Sequence, residues 1–174
     1  MPFAYFSHLS AKNKRIYLES DAIERVDLPP GLGLEAVLDD IRAALEAEGR
    51  VPLQRASQRL LDVLTGAFEV PRIKVKVLTV RPSGDWGELH GLYEPGEEGE
   101  PAVISTWMRT VARKQIVAYK SFVRTLLHEL CHHLDYEMYR WAETFHTEGF
   151  YKREASLFRQ LHGLAEPAAA PGDR

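Results

Sequence analysis

The sequence predicts a single α+β domain, and three observations predict it. Apolar residues recur at helical spacing through positions 1–70, the period falls to two in the middle, and an uninterrupted amphipathic segment follows from about Tyr119 to Tyr139. The expected order is N-terminal helices over 1–70, then a core over 71–164, then a tail over 165–174. Within the core, a small, mostly antiparallel sheet precedes a long helix and a C-terminal helix. A chain of 174 residues with 45% hydrophobic content can bury one core.

The elements follow in order. Arg15 to Ile23 reads equally as a strand or as the start of a helix, and Pro29-Pro30-Gly31 as a loop. Leu34 to Glu48 carries Leu34, Val37, Leu38, Ile41 and Leu45 on one helical face and stops at Gly49. Leu53 to Phe68 repeats the pattern after Val51-Pro52, with Leu60, Leu61 and Leu64 inward. No chemistry is visible in residues 1–70, and His8 reads as a surface histidine. Arg72 to Leu78 alternates charged with mostly β-branched residues, as a half-exposed strand does. Glu88 to Tyr93 and Ala102 to Met108 flank the acidic, turn-rich stretch from Glu94 to Glu100, which makes them a hairpin. His90 within it reads as an exposed or hydrogen-bonded histidine. Residues 146–162 form a second helix capped by Thr147, with Phe150, Leu157, Phe158 and Leu161 as its stripe. Ala165 to Arg174 is Ala/Pro-rich and reads as a disordered tail.

Composition narrows the function classes. The net charge is −3 with no Lys/Arg block, and Arg109, Arg113, Lys114 and Lys120 read as a solvated surface. No nucleic-acid partner is expected. One cysteine excludes an intramolecular disulfide. The N-terminal residues carry no secretory pattern, and no apolar run approaches the ~20 residues that span a bilayer. The expectation is a cytoplasmic protein without membrane association.

The chemistry lies in His128-Glu129-Leu130-Cys131-His132, an HExxH motif. Helix positions i and i+4 share a face, so both imidazoles can reach one metal ion. The adjacent Glu sits roughly 100° round the helix, close enough to hold a water without taking a ligand position. With 7 His and 17 Glu in the chain, such a motif arises by chance with a probability of about 3%, so its context has to carry weight. On a helical wheel Phe122, Val123, Leu126, Leu127, Leu130 and Leu134 fill one arc of roughly 140°. His128, Glu129 and His132 occupy a separate arc, flanked by Thr125 and Asp135. His133 falls among the apolar residues and reads as a hydrogen-bonded core histidine. Cys131 reads as a small buried hydrophobe. Asp135 either orients an imidazole through its second nitrogen or is a helix-surface charge.

Two histidines are one ligand short of an open zinc site. Glu143, His146, Glu148 and Glu154 are the downstream candidates. Glu154 stands in the apolar stripe of the last helix, where a carboxylate needs a metal, a His or an Arg as partner. His146 and Glu154 lie about 12 Å apart along a helix, too far to share one ion.

His146-Thr147-Glu148-Gly149-Phe150-Tyr151 resembles the H-[GST]-x-x-F-[WY] element that follows HExxH in SprT-like, WLM-type and YgjP-type metallopeptidases. The resemblance covers roughly Leu89 to Leu161. It implies a zincin-like fold with His146 as third ligand at the head of the next helix. The separation of His132 from His146 exceeds that of the shortest members, and Glu154 would instead resemble a gluzincin arrangement. A zincin also lays an edge strand over its site, where extended substrate adds to the sheet, and Ala102 to Met108 is the candidate for that role.

The expected function is zinc-dependent hydrolysis of peptide bonds in a peptide or protein substrate. His128, His132 and His146 would hold Zn²⁺, with Glu129 as general base toward a metal-activated water. Tyr136, Tyr139 and Tyr151 are candidates for stabilising the oxyanion. The alternative is a non-proteolytic protein whose zinc is structural or supports partner binding.

Overall fold

The computed structural model describes residues 1–85 and 87–165. Apart from Ala165, the expected tail lies outside the described residues. The elements are a 3₁₀ turn (Ala4–His8), α1 (Ala11–Ala22), α2 (Glu35–Glu46), α3 (Arg50–Ala67), β1 (Ile73–Val80), β2 (Ser83–Gly84), β3 (Gly87–Glu88), β4 (Gly91–Glu94), β5 (Ala102–Arg109), α4 (Tyr119–Glu137) and α5 (Glu148–Leu161). The α+β class and the order of helices and strands are as expected.

The ambiguous segment after Arg15 is helical, because α1 begins earlier, where the Ser10 side chain accepts the backbone N–H of Asn13 at 3.2 Å. α3 starts at Arg50 rather than at Leu53. Pro52 falls in the first turn, where its missing N–H would have had no helical partner.

The sheet departs from expectation. Its order is β1-β5-β4. β5 pairs in parallel with β1, from Ile73 opposite Ala102 to Val80 opposite Arg109, and antiparallel with β4, from Gly91 opposite Thr106 to Glu94 opposite Val103. The sheet is therefore mixed, and its longer pair is parallel. The chain reverses twice between β1 and β5, once across residues 81–90 and once across 95–101, and two reversals restore the starting direction. A period of two identifies a strand but not its neighbours.

The β4–β5 hairpin is present, but its roles are exchanged. Ala102–Met108, the expected edge, belongs to the central strand; β4 is the edge. The two rims of the sheet are treated differently. α3 covers β1: Gln58 donates to the Ile73 carbonyl at 2.8 Å and accepts from Val75 N at 2.8 Å, and Gln54 accepts from Val77 N at 3.1 Å. Side-chain amides thus stand in for a neighbouring strand. Among the described residues β4 pairs with β5 alone, and its other rim faces α4 and a cleft.

One continuous buried cluster joins α2, α3, the sheet, α4 and α5, with Ile41, Leu53, Leu60, Ile104, Leu126 and Phe150 all at 0% exposure. α2 and α3 therefore pack into the same core as the motif helix. α1 docks instead on the start of α5, where a Cβ on Gly149 would collide with the Ser20 and Asp21 carbonyls. Among the described residues no helix is long and apolar enough to cross a membrane.

Candidate metal centre

α4 presents the two faces that its wheel predicts. Phe122, Val123, Leu126, Leu127, Leu130 and Leu134 are buried, as are Cys131 and His133. His133 is the core histidine expected: its ring nitrogens lie 2.8 Å from the Pro71 carbonyl and 3.0 Å from the Tyr93 hydroxyl. On the other face, His128 and His132 project toward the loop that returns from α4 to α5.

That loop brings in His146. Its Nε2 lies 2.9 Å from Nε2 of His128 and 3.1 Å from Nε2 of His132. One ligand atom from each of the three residues falls within 4.8 Å of the other two. His146 stands one residue before Thr147, whose hydroxyl caps α5 by accepting from Phe150 N at 2.9 Å. Being outside the helix, it is free of the helical spacing that would have kept it from Glu154's neighbourhood.

Both former rivals flank His128. Glu154 accepts from its Nδ1 at 3.0 Å, behind the ring, while His146 meets its Nε2 in front. The carboxylate can only accept, so Nδ1 of His128 carries the proton and Nε2 is turned to the cluster. On the other ring, Nδ1 of His132 lies 2.8 Å from the Thr144 hydroxyl. That hydroxyl donates to Oδ2 of Asp135 at 2.7 Å. Asp135 is fully buried rather than a helix-surface charge, and it reaches the His132 ring through the Thr144 hydroxyl rather than directly. Its other oxygen pairs with Arg153 at 2.9 Å.

The sequence reading missed Thr144, Arg153 and the N-terminal turn. Tyr5 donates its hydroxyl to the His146 carbonyl at 2.8 Å, and the Tyr151 ring stacks on the His146 ring at 5.8 Å. Chemistry-bearing support thus comes from a region read as inert. Tyr5 follows no local pattern that betrays a contact 141 positions away.

Electrostatics keep the cluster receptive to a cation. Burial, with His128 and His146 beside it, depresses His132 to about 3. His146 is likewise lowered, by burial first and His128 second. These two imidazoles are therefore neutral near pH 7 and present lone pairs. Three imidazole nitrogens are a zinc donor set; bonds of about 2.0–2.1 Å at tetrahedral angles separate such nitrogens by about 3.4 Å. The two spacings to His146, 2.9 and 3.1 Å, lie a few tenths of an ångström below that, and all three atoms fall within 4.8 Å of one another. The residues present fit the metal.

Glu129 is only 6% exposed, and burial pushes its carboxyl up to about 7, partly opposed by His128. It lies beneath β4 at Gly91. A Cβ there would collide with Oε1 of Glu129 and come within 2.7 Å of Thr125 Cγ2. Glycine is required because the strand runs directly over the carboxylate. Gly91→Ala is expected to displace Glu129, lowering any hydrolytic turnover while leaving metal content unchanged. Metal analysis beside activity checks this, and a fully active variant would place the carboxylate elsewhere.

Glu129 and the three histidines open onto a cleft of about 680 Å³ between β4 and α4. Leu92, Tyr93, Pro95 and Tyr136 line one end, Arg124 and the exposed His90 the other. Tyr93 stacks on Tyr136 at 5.9 Å, making an aromatic wall beside His132. Of the tyrosines proposed from sequence, Tyr136 faces the cleft, whereas Tyr139 stacks on Trp141. Comparison with protein-family models, with curated proteins and with solved structures gives no match. Function is therefore inferred from the site itself.

Proposed function

We propose that the protein is a zinc-dependent peptidase. The observation that carries this reading is the convergence of His128, His132 and His146 at 2.9 and 3.1 Å beside a buried carboxylate and under an open sheet edge. When bound, zinc supplies Lewis-acid polarisation of a carbonyl and lowers the pKa of water toward neutrality.

The chain's own residues do the rest. The free rim of β4 offers backbone N–H and C=O groups to an extended polypeptide, laying its backbone along the cleft. This favours a peptide over a compact small molecule as substrate. Glu129 holds the attacking water, takes its proton and returns it to the leaving amine. Its elevated pKa suits both halves of that task. Glu154 fixes the His128 ring, and Tyr5 and Tyr151 fix His146.

Protein purified without chelator should contain about one zinc per chain by elemental analysis, and His146→Ala should lose most of it. The drop in affinity should exceed the about 10–100-fold that loss of an outer hydrogen-bond partner costs. Denatured casein should be cleaved, with cleavage stopped by a chelator and restored by zinc. Absence of zinc overturns the reading; stoichiometric zinc with no cleavage of any unfolded polypeptide reduces it to a metal-binding protein.

A further inference from the structure

We propose that Thr144 is a positioning residue for the metal centre, the hydroxyl that joins Asp135 to His132 in a hydrogen-bond relay running from the end of α1 through Arg153. The relay has five parts in contact. Arg153, 1% exposed, donates through Nη1 to the carbonyls of Ser20 at 2.7 Å and Ile23 at 2.8 Å. Its Nη2 donates to Oγ of Ser20 at 3.1 Å and to Oδ1 of Asp135 at 2.9 Å. Asp135 accepts from the Thr144 hydroxyl at 2.7 Å, and that hydroxyl meets Nδ1 of His132 at 2.8 Å.

The direction of every bond follows from the donor and acceptor inventory. A guanidinium can only donate, and the Asp135 carboxyl, raised by burial to about 6 against the pull of Arg153, is ionised at neutral pH and can only accept. Thr144 must therefore give its single proton to Asp135. With that proton committed, its oxygen can only accept from His132. Nδ1 of His132 must carry the ring proton, and Nε2 must present a lone pair to His128 and His146. A buried ion pair thus sets the tautomer of a ring that it does not touch.

A hydroxyl in this place does something that a direct carboxylate would not. Asp135 follows His132 by three positions on α4, whereas Thr144 belongs to the loop that carries His146. The same side chain that sets the His132 tautomer therefore pins the third histidine's loop to the motif helix. Serine keeps the relay, whereas valine and alanine break it. Glu154 performs the equivalent task for His128 in one step, from α5 rather than from the loop.

The metal-affinity consequence rests on the zinc reading above; the tautomer does not. The test uses the full chain, metal-free and ¹⁵N-labelled, with long-range ¹H–¹⁵N spectra assigning the proton on His132. Wild type and Thr144→Ser should show Nδ1–H, and Thr144→Val and Thr144→Ala should shift toward Nε2–H. Zinc affinity, by competition with a chromophoric chelator, should fall about 10–100-fold in the valine and alanine variants and stay near wild type in the serine variant. Two non-hydroxyl variants guard against one of them failing to fold. Nδ1–H persisting in both overturns the relay, and unchanged zinc affinity in both overturns the positioning role. If the tautomer follows the hydroxyl but wild type binds no zinc, the relay stands and the zinc reading falls. If zinc binds all four proteins alike and the tautomer is indifferent, the zinc reading stands and the relay falls.

Discussion

In Glu129→Gln, peptide cleavage should fall by about 10²–10⁴-fold, the range attributed to a positioned general base, while zinc stays bound. The amide is isosteric with the carboxylate, so the close passage of β4 over the side chain at Gly91 is preserved. It cannot take a proton from water. Glu129 also lies outside the converging trio of histidines, so the donor set is untouched. The residual activity should show a changed pH profile. In wild type, burial lifts the Glu129 carboxyl to about 7, and a bound dication would pull it back. The base works only when deprotonated, so kcat/KM should rise with pH along a limb at or below about pH 7. That limb should vanish in the variant. Cleavage within tenfold of wild type would assign the base elsewhere.

Arg153→Met should cost about 3–5 kcal/mol, the usual consequence of removing one partner of a buried ion pair. Its side chain is 1% exposed and Asp135 is fully buried, so water cannot replace the lost partner. The Ser20 and Ile23 carbonyls at the end of α1 lose their donor as well. For a chain of this size the melting temperature should drop by roughly 10 °C. The loss should depend on pH. Burial already raises the Asp135 carboxyl to about 6 against the pull of Arg153, and without the guanidinium it rises further. A carboxyl whose folded pKa lies above its unfolded value binds a proton more readily when folded. Stability of the variant therefore falls as pH climbs from the unfolded value of about 3.9 toward the raised one. Urea unfolding of metal-free protein should show a smaller deficit at pH 5 than at pH 7.5. A deficit below about 1 kcal/mol at both would mean that the pair is solvated in solution.

The motif helix was legible because its information is local. Six apolar residues and two histidines declare their faces through a period of 3.6, and the structure returns those faces unchanged. The cap at Thr147 was legible for the same reason. Sheet order was not, because β1 and β5 meet across two chain reversals and nothing in either strand encodes its neighbour. The site shows the same division. His128 and His132 follow from one turn of helix, whereas the role of Glu154 required knowing that His146 lies outside α5. Its place in the apolar stripe flagged Glu154 as needing a partner, and its carboxylate meets Nδ1 of His128. Thr144 and Arg153 gave no signal, since a threonine in a loop and an arginine in a helix are unremarkable until both are found on the Asp135 carboxylate. Tyr5 is the extreme case, a single hydroxyl reaching His146 from the far end of the chain.

The docking of α1 has a temporal consequence. Its links, and that of Glu24 just beyond it, run to residues made more than a hundred positions later: Glu19 to Trp141 at 3.1 Å, Asp21 to Gly149 N at 3.1 Å, Glu24 to Lys152 at 2.5 Å and Ser20 to Arg153. At about 5–20 residues per second, α1 emerges on the order of ten seconds before its docking surface exists. α2, α3 and the sheet can collapse in that interval, since they precede α4 and share the core. The three imidazoles cannot assemble before the loop that carries His146 has emerged, and α1 can close only over the α5 that follows it. Any metal capture at the site must therefore wait for the chain beyond His146, long after the first helix has emerged.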